Sequence, residues 1–368
     1  MSGDWPTAGW RRTTPEAAGL DAAPLAALDR DFVAGNVPLV DDFLVVRGGA
    51  IVFERRYAHD YATLYCAQAR TPGPLNATLA GPYNYFDPAW HPYVGGSDAH
   101  TLQSISKSVT SATLGIALGR GEFQASLEAP VLDWFERSRV RHVDARKERM
   151  TLRHVLTMTT GLDWNEDVAY DDPRNGASRM EATRDWVQFV IDQPMAHEPG
   201  ATFAYSSGAT ELLAHVFERE TGRDVEHYAC EHLFAPLGIR HHYWKRTPLG
   251  VVDTQGGLYL AAADLAKIGL LYLRRGTWDG ARILAADWVR DSLAPHVDAR
   301  DGWQYGYQWW LVPDGRGRFA WTALGIGGQH LFVLPDDDLV VVLTGWRILD
   351  ETRYAEPLLR AIVAALRG

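Results

Sequence analysis

Leu25, Leu28 and Phe32 share one helical face, which predicts an amphipathic helix over 21–32. Phe43-Leu44-Val45-Val46-Arg47, then Gly48-Gly49, then Ile51-Val52-Phe53-Glu54 predicts a β-hairpin closed by a glycine turn. Residues 58–99 show no period and carry Gly-Pro, Asn-Tyr-Phe-Asp-Pro and Gly-Gly; they predict a long excursion over the surface, a length that is often functional. From Ile105 the apolar positions Val109, Ala112 and Ile116 keep helical spacing until Gly119 and Gly121 end the run. The rest of that helix is small and apolar, as a buried central helix would be. Further helices are expected over 151–156, 185–191, 207–221, 224–233, 264–275 and 286–293. Strand patterns return at 318–322, 329–334 and 339–343, and a last helix is expected over 354–366.

Strands therefore cluster at both ends of the chain, with helices between. The simplest arrangement is α+β: an antiparallel sheet built from both chain ends and flanked by helices, with a mainly helical domain inserted. The expected division is 1–110 and 245–368 for the sheet domain and 111–244 for the helical insert. The head of the central helix then falls at their junction, where pockets tend to form.

Composition narrows the partners. Net charge is −10 and no basic run exists, so nucleic acid and anionic membrane are poor partners and a small molecule is the expected one. Cys66 and Cys230 make no disulfide framework, which favours a reducing compartment. The first twelve residues lack an apolar signal region, and no stretch is long and apolar enough to span a bilayer. A cytoplasmic protein is expected. Most of the 14 tryptophans are expected in the core, with Trp90, Trp164, Trp309 and Trp310 near turns and available to line a pocket.

Lysine usage points to the chemistry. The chain has four lysines against 32 arginines, and one of the four is Lys107, three residues after Ser104. Arginine keeps its proton in a protein, whereas a desolvated lysine can release one. Positions i and i+3 of a helix share a face, so Lys107 can reach the Ser104 hydroxyl as base to nucleophile. No other Ser-x-x-Lys occurs in the chain. At a helix start, free N–H groups and the positive dipole end favour a developing alkoxide. Tyr205, after the Pro199-Gly200 turn and before a helix, can project its phenol into a cleft, acting as a base only beside a cation such as Lys107. The glycine run Gly325-Ile326-Gly327-Gly328 permits close backbone approach, and one N–H from it with that of Ser104 would make an oxyanion hole. His154, His241, His242 and His330 have no metal-ligand spacing and read as surface or satisfied core residues; His-Glu-x-x-His, Cys-x-x-Cys, Gly-x-Ser-x-Gly and phosphate loops are all missing. No metal or cofactor is expected.

Taken in order, Ser104-Ile-Ser-Lys107, Thr151-Leu-Arg-His154 through Gly161, Tyr205-Ser-Ser207, Gly256-Gly257-Leu-Tyr259, Asp264-Leu-Ala-Lys267, Tyr305 through Trp310 and Gly325-Ile-Gly-Gly328-Gln resemble the serine β-lactamase-like family. That family covers class C β-lactamases, DD-peptidases, family VIII carboxylesterases and aminohexanoate-oligomer hydrolases. The resemblance spans about residues 14–366. It implies an α/β domain with a helical insert, a Ser104–Lys107–Tyr205 catalytic set, and an oxyanion hole from the Ser104 and Ile326 N–H groups. It further implies substrate contacts from Ser207, at the third place of a Tyr-x-Asn motif, and from Gly325 of the third motif. The 163–171 segment, with Trp164 and Tyr170, resembles one that borders the site in aminohexanoate-oligomer hydrolases. Where many relatives carry Lys-Thr-Gly, this chain has Ala323-Leu324-Gly325, so the cation that helps hold a β-lactam or stem-peptide carboxylate is missing, with Arg70 or Arg174 as replacements. The expected activity is thus hydrolysis of small neutral carboxylic esters, with amides second. A β-lactamase or D-amino-acid peptidase is the alternative within the fold, and a non-catalytic binding or scaffolding module is the alternative of another class.

Overall fold

Gly48 and Gly49 take left-handed angles, φ 59° and 73°, the pair that a two-residue hairpin turn needs. They join β1 (Val40–Arg47) to β2 (Ala50–Arg56). This computed structural model describes residues 5–76, 78–350 and 352–366. The free edge of β1 pairs with a strand from the far end of the chain, placing Phe43 opposite Leu343. Six further strands complete the sheet: β3 (Val297–Asp298), β4 (Gln304–Tyr305), β5 (Trp310–Pro313), β6 (Phe319–Gly325), β7 (Gln329–Leu334) and β8 (Leu339–Gly345). The order is β2-β1-β8-β7-β6-β5-β4-β3, antiparallel throughout. The fold is α+β, as expected.

Every residue of β7 and β8 is buried, so both faces of the sheet are covered. Phe32 of α1 (Ala22–Ala34) packs edge-on against Phe43 at 5.4 Å between ring centres. The central helix, α2 (Ile105–Gly119), is buried from Ile105 to Ala117. Some of its buried polar side chains bond back to backbone carbonyls one turn earlier: Ser106 Oγ donates to the Gln103 carbonyl at 2.6 Å and Thr113 Oγ1 to that of Val109 at 2.9 Å. Gly115 leaves room for an indole; a Cβ there would lie 2.3 Å from Trp288. α3 (Ser207–Thr221) packs against α2, and α4 (Ala262–Leu273) lies on β7 and β8. α5 (Ala355–Val363) closes against α1.

One expectation changes. The 224–233 helix is α-helical only over Val225–Ala229 and widens to a π-turn over Cys230–Phe234. Residues 58–99 run mostly over the surface, and within them Tyr61, Tyr65, Leu75, Tyr85 and Phe86 form a small core with Trp346 and Ile348. A second sheet of His100–Thr101, Tyr243–Trp244 and Leu258–Leu260 has strands too short to show alternation in the sequence. That sheet fixes the entry to α2, since Leu102 N–H donates to the Leu258 carbonyl at 2.8 Å.

Candidate active site

Ser104 heads α2 with helical angles, φ −61° and ψ −8°, and its hydroxyl caps nothing. The residue before it, Gln103, is held at φ 48°, a strained angle for a non-glycine side chain. The first-turn N–H groups of Ile105, Ser106 and Lys107 bond back to the carbonyls of Leu102, Gln103 and Ser104. Among the described residues, the Ser104 N–H has no such partner.

Lys107 lies one turn on and is 1% exposed. Its Nζ donates to Ser104 Oγ at 2.8 Å and to the Gln255 carbonyl at 2.6 Å. Gln255 is brought there by the chain entering the Leu258–Leu260 strand, and its own N–H donates to Glu211 of α3 at 2.9 Å. Tyr205 stands on the other side of the lysine, with Nζ 5.1 Å from its ring centre. Its orientation is set by packing: it stacks on Trp310 of β5 at 5.4 Å and meets Tyr305 edge-on at 6.5 Å. Ser206, between Tyr205 and α3, caps that helix by accepting from the Ala209 N–H at 3.0 Å.

These groups open on a cavity of about 340 Å³ that Ser104, Tyr170, Tyr205, Gly325 and Ile326 line. Gly325 lets β6 approach: a Cβ there would lie 2.3 Å from the Leu102 carbonyl oxygen. Gly327 and Gly328, at φ 87° and 112°, turn the chain after Ile326. The Ile326 N–H, like that of Ser104, donates to no group among the described residues. Two free N–H groups thus edge the cavity beside one hydroxyl.

Trp164 and Ser207 do not line it. Both turn to Glu166, whose carboxylate accepts from Trp164 Nε1 at 2.6 Å, from Ser207 Oγ at 2.8 Å and from the Ser207 N–H. The indole fits because Gly176 and Gly208 carry no side chain; a Cβ on either would come within 2.6 Å of it. Tyr170 does reach the cavity and donates to Glu166 at 3.3 Å; burial and that carboxylate keep its phenol protonated well above the usual range. Of the tryptophans expected near a pocket, only Trp310 lines it, joined by Trp303; Trp309 is fully buried against Tyr272.

Several other cavity residues carry no signal in the sequence. Arg300 and Arg347 bring cations to the wall, whereas Arg70 is exposed and away from the cavity, and Arg174 is exposed and paired with Asp172 at 2.7 Å. Arg347 sits over the Tyr354 ring at 4.3 Å. His330 also lines the cavity; burial, and then the Arg347 cation, push its imidazole down to about 3, so it stays neutral, with Nδ1 2.9 Å from the Gly328 carbonyl. Among the described residues there is no cluster suited to hold a metal ion and no helix long and apolar enough to cross a membrane.

The Beta-lactamase family profile matches residues 43–348, and the chain belongs to that family. By class it is a serine hydrolase. It is 27% identical over 271 residues to a 6-aminohexanoate-dimer hydrolase of Paenarthrobacter ureafaciens, covering 68% of this chain and 67% of the relative. Esterase EstB of Burkholderia gladioli is 30% identical over 148 residues, which is 38% of this chain and 36% of EstB. Two solved structures share the fold: EstCE1, a hydrolase with promiscuous acyltransferase activity (15% identity, TM-score 0.67, 95% of this chain and 99% of that one), and a family VIII carboxylesterase (15% identity, TM-score 0.65, 94% and 98%).

Proposed function

We propose that the chain hydrolyses small carboxylic esters through an acyl-enzyme on Ser104, with amides as the harder second class. Ser104 Oγ attacks the carbonyl carbon while Lys107 Nζ accepts its proton, reversing the hydrogen bond between them. The carbonyl oxygen takes the charge and is held by the Ser104 and Ile326 N–H groups. Tyr205 passes a proton to the departing oxygen or nitrogen, and water then releases the acid by the reverse sequence. No step calls on a metal or cofactor. The carrying observation is the 2.8 Å contact from a buried lysine to a serine hydroxyl at the edge of a cavity that Tyr205 also lines.

Substrate size follows from the cavity, which suits a small ligand. The substrate is neutral in this reading, because Ala323 stands where many relatives carry the cation that holds a substrate carboxylate. The names of the matched esterase and 6-aminohexanoate-dimer hydrolase support the ester and amide classes. The reading includes a helical body over 111–244 set into a sheet body of 1–110 and 245–368, with Ser104 where they meet, and a cytoplasmic location. A p-nitrophenyl ester series of increasing acyl length tests it. Turnover by the wild type and a loss above about a thousandfold in Ser104→Ala are expected; wild-type turnover in Ser104→Ala contradicts it.

A further inference from the structure

Cys230 and His242 do not line the cavity of Ser104 and take no part in the chemistry above. At Cys230 the Val225–Ala229 helix widens into its π-turn, an irregularity found often at functional sites. His242 immediately precedes the Tyr243–Trp244 strand, and its ring rests against Phe234 of that π-turn, 5.1 Å between centres. Its Nε2 then lies 3.3 Å from Cys230 Sγ and 3.4 Å from Glu226 Oε1. Glu226 stands four residues before Cys230, one helical turn away on the same face. Its other oxygen bonds Arg246 at 2.6 Å. Arg246 also bonds Asp224 at 3.0 Å, and Asp224 bonds His227 at 2.8 Å. Hydrogen bonds, to Cys230 first and to Glu226 second, raise the His242 imidazole to about 9, so it is a cation at neutral pH. Cys230, His242 and Glu226 are all half-buried, so solvent reaches each of them.

A thiol beside an imidazolium gives up its proton more readily than a free one, and the thiolate is the nucleophile. Glu226 alone would oppose a second anion so near it. Arg246 answers that carboxylate, which leaves the His242 cation to face the sulfur. We propose that Cys230 is a second nucleophilic centre, a thiolate paired with His242 that a hydroperoxide converts to a sulfenic acid. The sulfur attacks one peroxide oxygen, and the S–O bond forms as the O–O bond breaks. Sulfur gives up two electrons and the peroxide accepts them. With hydrogen peroxide the departing hydroxide collects the His242 Nε2 proton and leaves as water. A reactant this small needs access to the sulfur and a proton donor beside it, and the pair supplies both.

The chain carries its own control, because Cys66 is exposed whereas Cys230 is half-buried. The full chain is treated with hydrogen peroxide at pH 6.5 in the presence of dimedone, which traps sulfenic acids, and each cysteine peptide is followed by mass spectrometry. At that pH an ordinary thiol, with a pKa of about 8.5, is only about 1% thiolate. Cys230 should take the label at least about tenfold faster than Cys66, against the order of exposure. His242→Gln should slow Cys230 by about tenfold or more and leave the Cys66 rate as it was. A Cys230 rate no greater than that of Cys66 in the wild type overturns the proposal. So does an unchanged Cys230 rate in His242→Gln that is folded by thermal melt. If His242→Gln does not fold, the wild-type comparison repeated with iodoacetamide decides: faster alkylation of Cys230 supports the thiolate, and faster alkylation of Cys66 overturns it.

Discussion

The Gln255 carbonyl accepts a hydrogen bond from Lys107 Nζ at 2.6 Å, while the Gln255 N–H donates to Glu211 at 2.9 Å and its side-chain amide to Glu181 at 2.9 Å. One residue therefore ties the lysine of the site to two carboxyl groups. The Glu211 carboxyl is pushed well above the usual carboxylate range by burial and by Asp253. The lysine thus faces carbonyl and hydroxyl oxygens at close range, a setting that fixes the direction of its nitrogen.

That setting separates the lysine's charge from its ability to take a proton. Lys107→Arg keeps a cation that cannot act as a base. We expect kcat on a p-nitrophenyl ester to fall by several orders of magnitude with the fold retained by circular dichroism. Retention of more than about a tenth of the rate, a cost under about 1.4 kcal/mol, would make Lys107 an electrostatic neighbour only.

Tyr205 is placed by its ring, not by its hydroxyl. Tyr205→Phe preserves the stack on Trp310 and the edge contact with Tyr305. The melting temperature should hold while kcat drops about a hundred- to a thousandfold, the range of a lost proton-transfer group. An unchanged kcat would reduce Tyr205 to a wall of the cavity.

Glu166 is expected to matter for folding of the 163–171 segment. Glu166→Ala strips the acceptor from the indole of buried Trp164 and from both donors of buried Ser207. Leaving such donors unpaired costs about 1–3 kcal/mol each. Urea unfolding should show a loss of at least about 2 kcal/mol, and a stability equal to wild type would contradict the arrangement.

Glu181 gives the protein a pH signature. Burial, with Asp253 adding to it against the opposing Lys245 cation, raises its carboxyl from the ordinary 4.5 to about 7. The folded protein therefore binds this proton more tightly than the unfolded chain, so the stabilisation is complete below about pH 4.5 and is lost as pH rises through 7. Glu181→Gln keeps an oxygen to accept from Tyr85 and Gln255 without the charge. Relative to wild type, the variant should gain stability steadily from pH 5 to 7 and level off above. A difference independent of pH would show that Glu181 does not titrate there.

The long elements were legible because their periods are written in many residues: the β1–β2 hairpin, α2 and α3 lie where the pattern puts them. Two-residue strands such as His100–Thr101 and Gln304–Tyr305 have no period to read. The pairing of Ser104 with Lys107 is local, one helical turn, and so visible in the sequence. Trp164 and Ser207 were expected at the cavity wall and instead face Glu166, because two distant glycines make room for an indole. Arg300 and Arg347 come from segments without any pattern, and only the closing of the sheet brings them to the cavity.

The central claim is a covalent bond to Ser104, and intact-mass spectrometry after treatment with a fluorophosphonate measures it most directly. The account predicts one adduct per chain, mapped by peptide sequencing to Ser104, absent in Ser104→Ala and slowed in Lys107→Arg. No adduct with any acyl or phosphonyl probe, or an adduct that persists in Ser104→Ala, would contradict it.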